Sequence, residues 1–174
     1  MSSSARHRVF LSFYHQDEKY RELFETLFED ICITSCVHPG DIDTDDSDQY
    51  IKRLIREKYI TSSSVVVVLV GPRTYCRKHV DWEISAGLIP SGGYSGLMGL
   101  LLPNYSGFPK DTYNPETIPP RLSANIESGY ASLYKCTNDK NKMKERLLLA
   151  FEAREAKVDL IDNSLLQFQK NRCD

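Results

Sequence analysis

One stretch in the middle of the chain decides the fold: residues 65–89 read VVVVLVGPRTYCRKHVDWEISAGLI. Its first part, Val65–Val70, is an aliphatic run without polar alternation that is too short to cross a membrane. Such a run is typical of a strand buried on both faces of a parallel sheet. Gly71 and Pro72 end the strand. A helix is predicted next, because apolar residues recur at helical spacing at Val80, Ile84 and Leu88.

Glu83 lies early in this helix, near the carboxyl end of the central strand. Ligands bind at that edge in open parallel sheets. His79 is one helical turn before Glu83, so the two share a face, and the only tryptophan, Trp82, is its neighbour. A histidine and a glutamate at this spacing ordinarily form a surface contact, and a tryptophan ordinarily packs in the core. Its place at the sheet edge makes Glu83 the leading candidate for a functional carboxylate.

Five predicted strands alternate with helices along the chain. They are Val9–Tyr14, Ser35–His38, Val65–Val70, Leu97–Leu102 and Tyr130–Tyr134. Because parallel strands are joined by right-handed crossovers, this alternation predicts an α/β, flavodoxin-like fold with helices on both faces of a five-stranded parallel sheet, in the order 2-1-3-4-5. We expect a single domain over residues 1–174, with a core at about 8–160 and flexible or peripheral ends at 1–7 and 163–174.

Helical spacing and polar caps predict where the first two helices begin and which faces they bury. Asp17 is a candidate cap for the first helix, and Ser47 or Asp48 for the second. The apolar stripe of the first helix recurs every three or four residues, which predicts a core-facing side. It consists of Tyr20, Leu23, Phe24, Leu27, Phe28 and Ile31.

Composition excludes several classes of protein. The 22 Lys and Arg residues are balanced by 24 Asp and Glu residues, a formal net charge of −2, so the chain lacks the basic excess of a nucleic-acid-binding protein. It has no membrane-spanning run and no signal-peptide core, so we expect a cytoplasmic protein without a membrane partner. The cysteines lack paired spacing, which favours reduced thiols over a disulfide framework or a zinc site. They are Cys32, Cys36, Cys76, Cys136 and Cys173.

Two loops need explanation. The acidic loop, Asp41–Asp48, begins with EF-hand spacing, but Asp46 replaces the required glycine and Lys52 the bidentate glutamate, so we predict no calcium site. A solvated loop with a helix cap is favoured there, and a gate over the pocket is the alternative. The Pro103–Pro120 loop is long enough to suggest a function.

Phosphate-binding glycine loops and the serine-hydrolase elbow are absent, which argues against ordinary kinases, GTPases, dinucleotide oxidoreductases and serine hydrolases.

The end of the first strand adds side chains to the predicted site. In a 2-1-3-4-5 sheet, strands one and three are neighbours at the switch point, so Phe10, Ser12, Phe13 and Tyr14 are expected near Glu83. Aromatic rings there are suited to stacking on a base or a nicotinamide. Ser12 or Tyr14 is suited to a hydrogen bond with a ribose. The alternative is that Phe10 and Phe13 belong only to the core.

The same segments resemble a known family. Val9–Phe13, followed by a helix, is similar to the first box of TIR domains, and Tyr75–Ile84 is similar to the helix that bears the TIR glutamate. The chain more closely resembles the bacterial TIR-like proteins of the Thoeris anti-phage system, over roughly Arg8 to Phe151. Four motifs carry this resemblance: Gly71-x-x-Thr74-Tyr75, Val80-x-Trp82-Glu83-Ile84, Ile118-Pro119-Pro120-Arg121-Leu122 and Gly129-Tyr130-Ala131.

The resemblance implies a TIR fold and NAD as a substrate, and we expect no metal and no separate cofactor. Active relatives cleave the nicotinamide–ribose bond and release a cyclic or modified ADP-ribose signal that activates a separate effector. Glu83 matches the catalytic glutamate by position. The resemblance also implies an infection trigger, such as a phage component, or assembly into a homo-oligomer. The substrate-binding candidates are Phe10, Ser12, Phe13, Tyr14, His79 and Trp82.

The sequence departs from the usual TIR pattern at one position, and two other classes of protein compete with the interpretation as a TIR enzyme. Many TIR domains carry tryptophan four residues before the glutamate, where this chain has His79, so the aromatic that stacks on nicotinamide stays open between Trp82, Phe13 and Tyr14. A non-catalytic TIR-like adaptor is the first competing class. A receiver-like phosphoacceptor domain shares the strand order, but strand three ends at Val70-Gly71 without the aspartate it would need.

Overall fold

Six consecutive aliphatic residues form the central strand of the sheet, because both of its faces are covered by helices. The computed structural model describes residues 6–43, 45–90 and 92–173. In it, every residue of β3 (Val65–Val70) is at most 1% exposed. The other strands are β1 (His7–Ser12), β2 (Cys32–Ser35), β4 (Gly96–Leu101) and β5 (Ser132–Lys135). All pairings are parallel in the order β2-β1-β3-β4-β5, which confirms the predicted fold class and strand order.

The helices divide between the two faces of the sheet. The described residues form α1 (Glu18–Phe28), α2 (Asp48–Leu54), α3 (Lys78–Gly87), α4 (Pro120–Ser128) and α5 (Lys140–Ala156), and α2 continues as a π-helix, Ile55–Ile60. Successive side chains of a strand point to opposite faces. Val66, Val68 and Val70 therefore pack with residues of α2, α3 and α4. Val65, Val67 and Leu69 pack with residues of α1 and α5. None of the described helices has the length and apolar character to cross a membrane.

Two elements differ from the predicted pattern. The second strand is Cys32–Ser35, not Ser35–His38. The chain enters the sheet directly after α1, because the amide of Ile31 donates to the carbonyl of Phe28 at 3.0 Å and Cys32 then pairs with His7. Leu23 is 52% exposed although the predicted stripe included it, so the buried face of α1 is narrower than the apolar spacing indicated.

Of the predicted helix caps, one is confirmed and one is wrong. Ser47 accepts a hydrogen bond on Oγ from the amide of Tyr50 at 3.3 Å, as predicted for α2. The carboxylate of Asp17 makes no capping bond to α1 and instead accepts from the side-chain amide of Asn104 at 2.8 Å. Asp17 is buried against Gly71, where a Cβ atom would collide with its carboxylate. Asp17 thus ties the loop after β1 to the loop after β4.

Residues 163–173, predicted as flexible or peripheral, are mostly exposed, and the side chain of Phe168 holds them against α3. Phe168 is 2% exposed. Its carbonyl accepts from the indole Nε1 of Trp82 at 2.8 Å, and its amide donates to the carboxylate of Asp81 at 2.9 Å. Cys173 forms a disulfide with Cys76, so the prediction of reduced thiols is wrong for this pair. The spacing gave no sign of it, because 97 positions separate the two cysteines.

A buried ion pair joins α3 to α4. Arg121 is 1% exposed and Asp81 is 3% exposed. The Nε and Nη2 atoms of Arg121 donate to the two carboxylate oxygens of Asp81 at 2.9 and 3.3 Å, and its Nη1 donates to Asn163 at 2.9 Å. Since Asp81 also accepts from the amide of Phe168, three separate segments of the chain meet at one carboxylate.

We expect Arg121→Met to lower the free energy of unfolding by about 3–5 kcal/mol, because it leaves the Asp81 carboxylate buried without its counter-charge. Urea denaturation at neutral pH measures the change. Arg53→Ala is the control: it breaks the exposed Arg53–Glu57 pair, whose closest N–O distance is 3.1 Å, and should cost less than about 1 kcal/mol. Similar losses of unfolding free energy in the two variants would contradict the argument that burial makes the Asp81–Arg121 pair the more costly one to break.

Candidate active site at the carboxyl edge of the sheet

A tight turn between β3 and α3 brings Glu83 to the edge of the sheet. The hydroxyl of Thr74 accepts from the amide of Gly71 at 2.9 Å and donates to the carbonyl of Leu69 at 3.3 Å. A short 3-10 turn, Thr74–Cys76, then leads into α3. The second turn of α3 consequently lies against the end of β1, where Glu83 meets Ser12.

One hydrogen bond connects the end of β1 to the candidate catalytic carboxyl group. Ser12 is fully buried and donates from Oγ to Oε2 of Glu83 at 2.5 Å. Burial raises the pKa of Glu83, which is 6% exposed, to about 8, and the bond from Ser12 opposes that shift by favouring the ionised form. A carboxyl group that titrates in this range can hold or release a proton near neutral pH, as general acid–base catalysis requires.

A cavity of about 600 Å³ lies beside Glu83. Small-molecule sites commonly have volumes of about 300–1,000 Å³, so the cavity can take a nucleotide-sized ligand. Its walls come from separate parts of the chain that meet at this edge. They are the loop after β1 (13–15) with Glu18 of α1, the loop after β2 with Ile42 (37–40 and 42), Ile51 of α2, the start of α3 (77–80) and Asn171 of the C-terminal segment.

Basic side chains cluster around this cavity. Arg77 and Lys78 line it, as do three of the four histidines, His15, His38 and His79. The guanidinium of Arg77 lies 3.8 Å from the ring centre of Tyr14, and among the described residues its Nε has no hydrogen-bond partner. Burial, together with the charge of Lys78, lowers the pKa of His79, which favours its neutral form. An aromatic wall beside cationic side chains is suited to a ligand that carries both a ring and phosphate groups.

The structure brings together most of the side chains predicted for the site. Phe13, Tyr14, His79 and Glu83 line the cavity, and Ser12 reaches it through its bond to Glu83.

Phe10 and Trp82 do not line this cavity, contrary to the prediction. Phe10 is fully buried in the core, with its ring centre 6.3 Å from that of Tyr59. Trp82 is 1% exposed, and its indole is held between the carbonyl of Phe168 and the ammonium group of Lys52, which lies 4.8 Å from the ring centre. Both aromatics therefore support the site from within the fold and have no surface to offer a ligand there.

Sequence reasoning missed several residues of the cavity. Arg77 and Lys78 directly precede His79, and their positive charge at the start of the candidate helix was a usable signal. His15 follows the aromatic end of β1 and was equally visible. Asn171 carried no signal, because it reaches the site from 93 positions beyond the residue it contacts, Lys78.

The two loops that the sequence analysis discussed, the acidic loop and the Pro103–Pro120 loop, differ in their relation to the cavity. Ile42 of the acidic loop lines it, but the nearby carboxylates are engaged with backbone: Asp41 accepts from the amide of His38, and Asp43 from that of Asp45, both at 2.9 Å. Thr44 lies outside the described residues. The Pro103–Pro120 loop does not line the cavity. Its Tyr105 hydroxyl lies 2.7 Å from that of Thr117, which ties the loop to itself.

Comparison with known proteins identifies the family. A family model described as "Thoeris protein ThsB, TIR-like domain" matches residues 10–106, which include Ser12, Glu83 and most of the cavity. The chain belongs to this ThsB family. The similarity to TIR domains and to Thoeris proteins seen in the sequence is thereby confirmed.

Other comparisons add little to the family assignment. No curated protein matches the chain. Among solved structures, the chain is similar to the TIR domains of "the activated Roq1 resistosome directly recognizing the pathogen effector XopQ". The two chains share 16% sequence identity, and the alignment covers 89% of this chain and 83% of that one with a TM-score of 0.39.

We expect Glu83→Gln to gain stability relative to wild type as the pH rises. Glu83 has a pKa of about 8 in the folded chain against 4.5 for an unperturbed glutamate. Between these values the folded chain holds a proton that the unfolded chain has released, so wild-type stability falls by up to about 1.4 kcal/mol per pH unit. Glutamine does not ionise and keeps an acceptor for Ser12.

Urea denaturation of both proteins between pH 5 and pH 8 measures this difference. Glu145→Gln, which makes the same chemical change at an exposed position on α5, serves as the control. A difference in unfolding free energy between Glu83→Gln and wild type that stays constant with pH would contradict the raised pKa of Glu83.

Proposed function

We propose that this chain is an NAD-cleaving TIR enzyme of bacterial antiviral defence. It breaks the nicotinamide–ribose bond and releases a cyclic or modified ADP-ribose that signals to a separate effector protein. The observation that carries the proposal is the buried Glu83 carboxyl group, bonded to Ser12 beside a cavity of about 600 Å³. Membership of the Thoeris ThsB family supports the role in defence.

The carboxylate of Glu83 suits the charge that develops when nicotinamide leaves. As the bond from C1′ of the ribose to the ring nitrogen breaks, nicotinamide keeps the bonding electron pair and becomes neutral, and the ribose gains oxocarbenium character. A carboxylate beside the sugar stabilises that cation more than it stabilises the ground state. Water or a nucleophile of the ADP-ribose itself then bonds to C1′, and the proton it loses passes to Oε1 of Glu83.

Substrate binding accounts for the use of a carboxyl group with a raised pKa. The nicotinamide ring of NAD is cationic, and a positive charge nearby lowers the pKa of a carboxyl group. The bond from Ser12 also favours the ionised form of Glu83. Glu83 is therefore ionised when the substrate is bound and regains its affinity for a proton once neutral nicotinamide has formed, which is the order that a general base needs.

The remaining cavity residues supply binding. Arg77 and Lys78 are placed to bind the diphosphate of NAD, because both line the cavity and carry positive charge. Phe13 and Tyr14 line the same cavity, and their rings are the aromatic surfaces proposed to contact nicotinamide or adenine. The burial of Trp82 leaves these two as the candidates for nicotinamide stacking.

Cyclisation requires that water be kept from the ribose, and the cavity beside Glu83 is not fully enclosed. We assign the closing of the cavity to a second copy of the chain or to a phage component that contacts the loop of residues 37–40, which lines the cavity. Activation by infection or by assembly is therefore part of the proposal.

We expect Glu83→Gln to reduce nicotinamide release by at least about 100-fold, because the variant can neither stabilise the cation nor accept a proton. Wild type, Glu83→Gln and the control Glu145→Gln, each from phage-infected cells, are incubated with NAD and followed by chromatography. Mass spectrometry of the same cells identifies the signal molecule. Equal turnover by wild type and Glu83→Gln would remove Glu83 from the mechanism.

Phage protection separates the enzyme from the alternative, a non-catalytic adaptor. An enzyme loses protection in Glu83→Ala cells that express and assemble the protein normally. Protection that survives this substitution favours the adaptor.

We expect Arg77→Ala to raise the KM for NAD by about tenfold or more with a smaller effect on kcat, because a hydrogen bond to a charged phosphate contributes to binding and not to the chemical step. Arg53→Ala removes the same charge away from this cavity and serves as the control. Initial rates over a range of NAD concentrations give both constants. An unchanged KM would place the diphosphate elsewhere.

A further inference from the structure

The last residues of the chain, 167–173, form a strap that reaches the candidate active site. Asn171 of this strap lines the same cavity as Glu83. Its Oδ1 accepts from the amide of Lys78, the first residue of α3, at 3.0 Å. The first amides of a helix have no partner within the helix, and Arg77 at the N-cap position provides no side-chain bond. The strap thus caps the helix that carries Glu83.

The chemistry of this contact fixes the orientation of the Asn171 amide. A backbone N–H can only donate, so the atom of Asn171 that faces Lys78 is the oxygen. The side-chain NH₂ group must then point away from the helix terminus, and among the described residues it has no protein acceptor. A donor beside Arg77 and Lys78 extends the set of groups that can bind phosphate oxygens.

Separate contacts hold the two ends of the strap. At the inner end, Phe168 is buried and bonded to Trp82 and Asp81. At the outer end, the amide of Arg172 donates to the carbonyl of Cys76 at 2.8 Å, and Cys173 is joined to Cys76 by the disulfide. The position of Asn171 therefore depends on the outer attachment.

We propose that Asn171 is a substrate-binding residue and that the Cys76–Cys173 disulfide controls its position, so that the affinity of the site for NAD responds to reduction. The proposal rests on the proposed function. Cys76 is fully buried and Cys173 is partly exposed, so a dithiol attacks the sulfur of Cys173 and displaces the thiolate of Cys76. The second thiol of the reagent then closes its own disulfide and releases Cys173. Two electrons and two protons pass from the dithiol to the two cysteines.

Two substitutions at Asn171 separate substrate binding from helix capping. Asn171→Asp keeps an oxygen for the amide of Lys78 but loses the NH₂ donor and adds a negative charge. Asn171→Ala loses both functions. If Asn171 contacts the diphosphate, both variants raise the KM for NAD by about tenfold or more, with kcat changed less. If Asn171 only caps α3, Asn171→Asp behaves as wild type, and that result overturns the proposed binding role.

Reduction tests the disulfide. We expect dithiothreitol to increase hydrogen exchange at the amides of Lys78 and Arg172 in wild type while Phe168 stays protected, and to raise the Kd for NAD in equilibrium dialysis by about as much as Asn171→Ala does. Cys173→Ser should show these properties without reductant and should not respond to it. Cys136→Ser removes a free cysteine that lies outside the strap, so it should respond as wild type does.

The exchange measurement needs no NAD, which separates the two proposals. If oxidised wild type from phage-infected cells neither binds nor cleaves NAD, the proposed function fails, and exchange at Lys78 and Arg172 still decides whether the disulfide holds the strap. If wild type binds NAD but reduction changes neither exchange nor Kd, the strap proposal is wrong and the proposed function stands.

Discussion

The position of α3 depends on the buried ion pair between Asp81 and Arg121. Successive residues of a helix are about 100° apart, so Asp81 and Glu83 project from nearly opposite sides of α3. Asp81 is held on the outer side by two bonds from Arg121 and one from the amide of Phe168. Fixing that side fixes the rotation of the helix, and with it the direction in which Glu83 points toward Ser12. A buried ion pair contributes little net stability, but leaving either charge buried without its partner is costly, so orientations of α3 that separate Asp81 from Arg121 are disfavoured.

With α3 fixed in this way, the candidate site retains a carboxyl group that is costly to bury. Glu83 is enclosed beside a hydroxyl group, and its raised pKa reflects the loss of water around the ionised form. A core designed only for stability would place an apolar side chain there. Perturbed carboxyl groups beside cavities are characteristic of functional sites, where stability is lost in exchange for reactivity. The same burial explains both the cost of Glu83 to folding and its suitability as a proton acceptor.

The sequence predicted those parts of the site that follow from strand order. Val65–Val70 had the pattern of a central strand, and the order 2-1-3-4-5 then placed the end of β1 beside α3, which correctly brought Ser12 to Glu83. Phe10 was misplaced because it lies on the same face of β1 as Ser12 but about 7 Å further from the edge, a distance that residue type does not reveal. The strap was unpredictable for a different reason: Cys173 and Asn171 act through contacts with residues more than ninety positions away, and neither lies in a motif.

The residues proposed for catalysis lie in a strand and a helix, whereas some of those proposed for binding lie in a loop and in the strap. Ser12 ends a strand and Glu83 lies in the second turn of a helix, so packing of the core sets the distance between them. His38 belongs to a loop, and Asn171 belongs to a strap that is held by Phe168 at one end and by Arg172 and Cys173 at the other. Loops and termini move more readily than core elements and open at lower free energy. Substrate affinity can therefore change through the strap or the loop while the Ser12–Glu83 pair stays intact, so that control of binding does not require the catalytic geometry to be rebuilt.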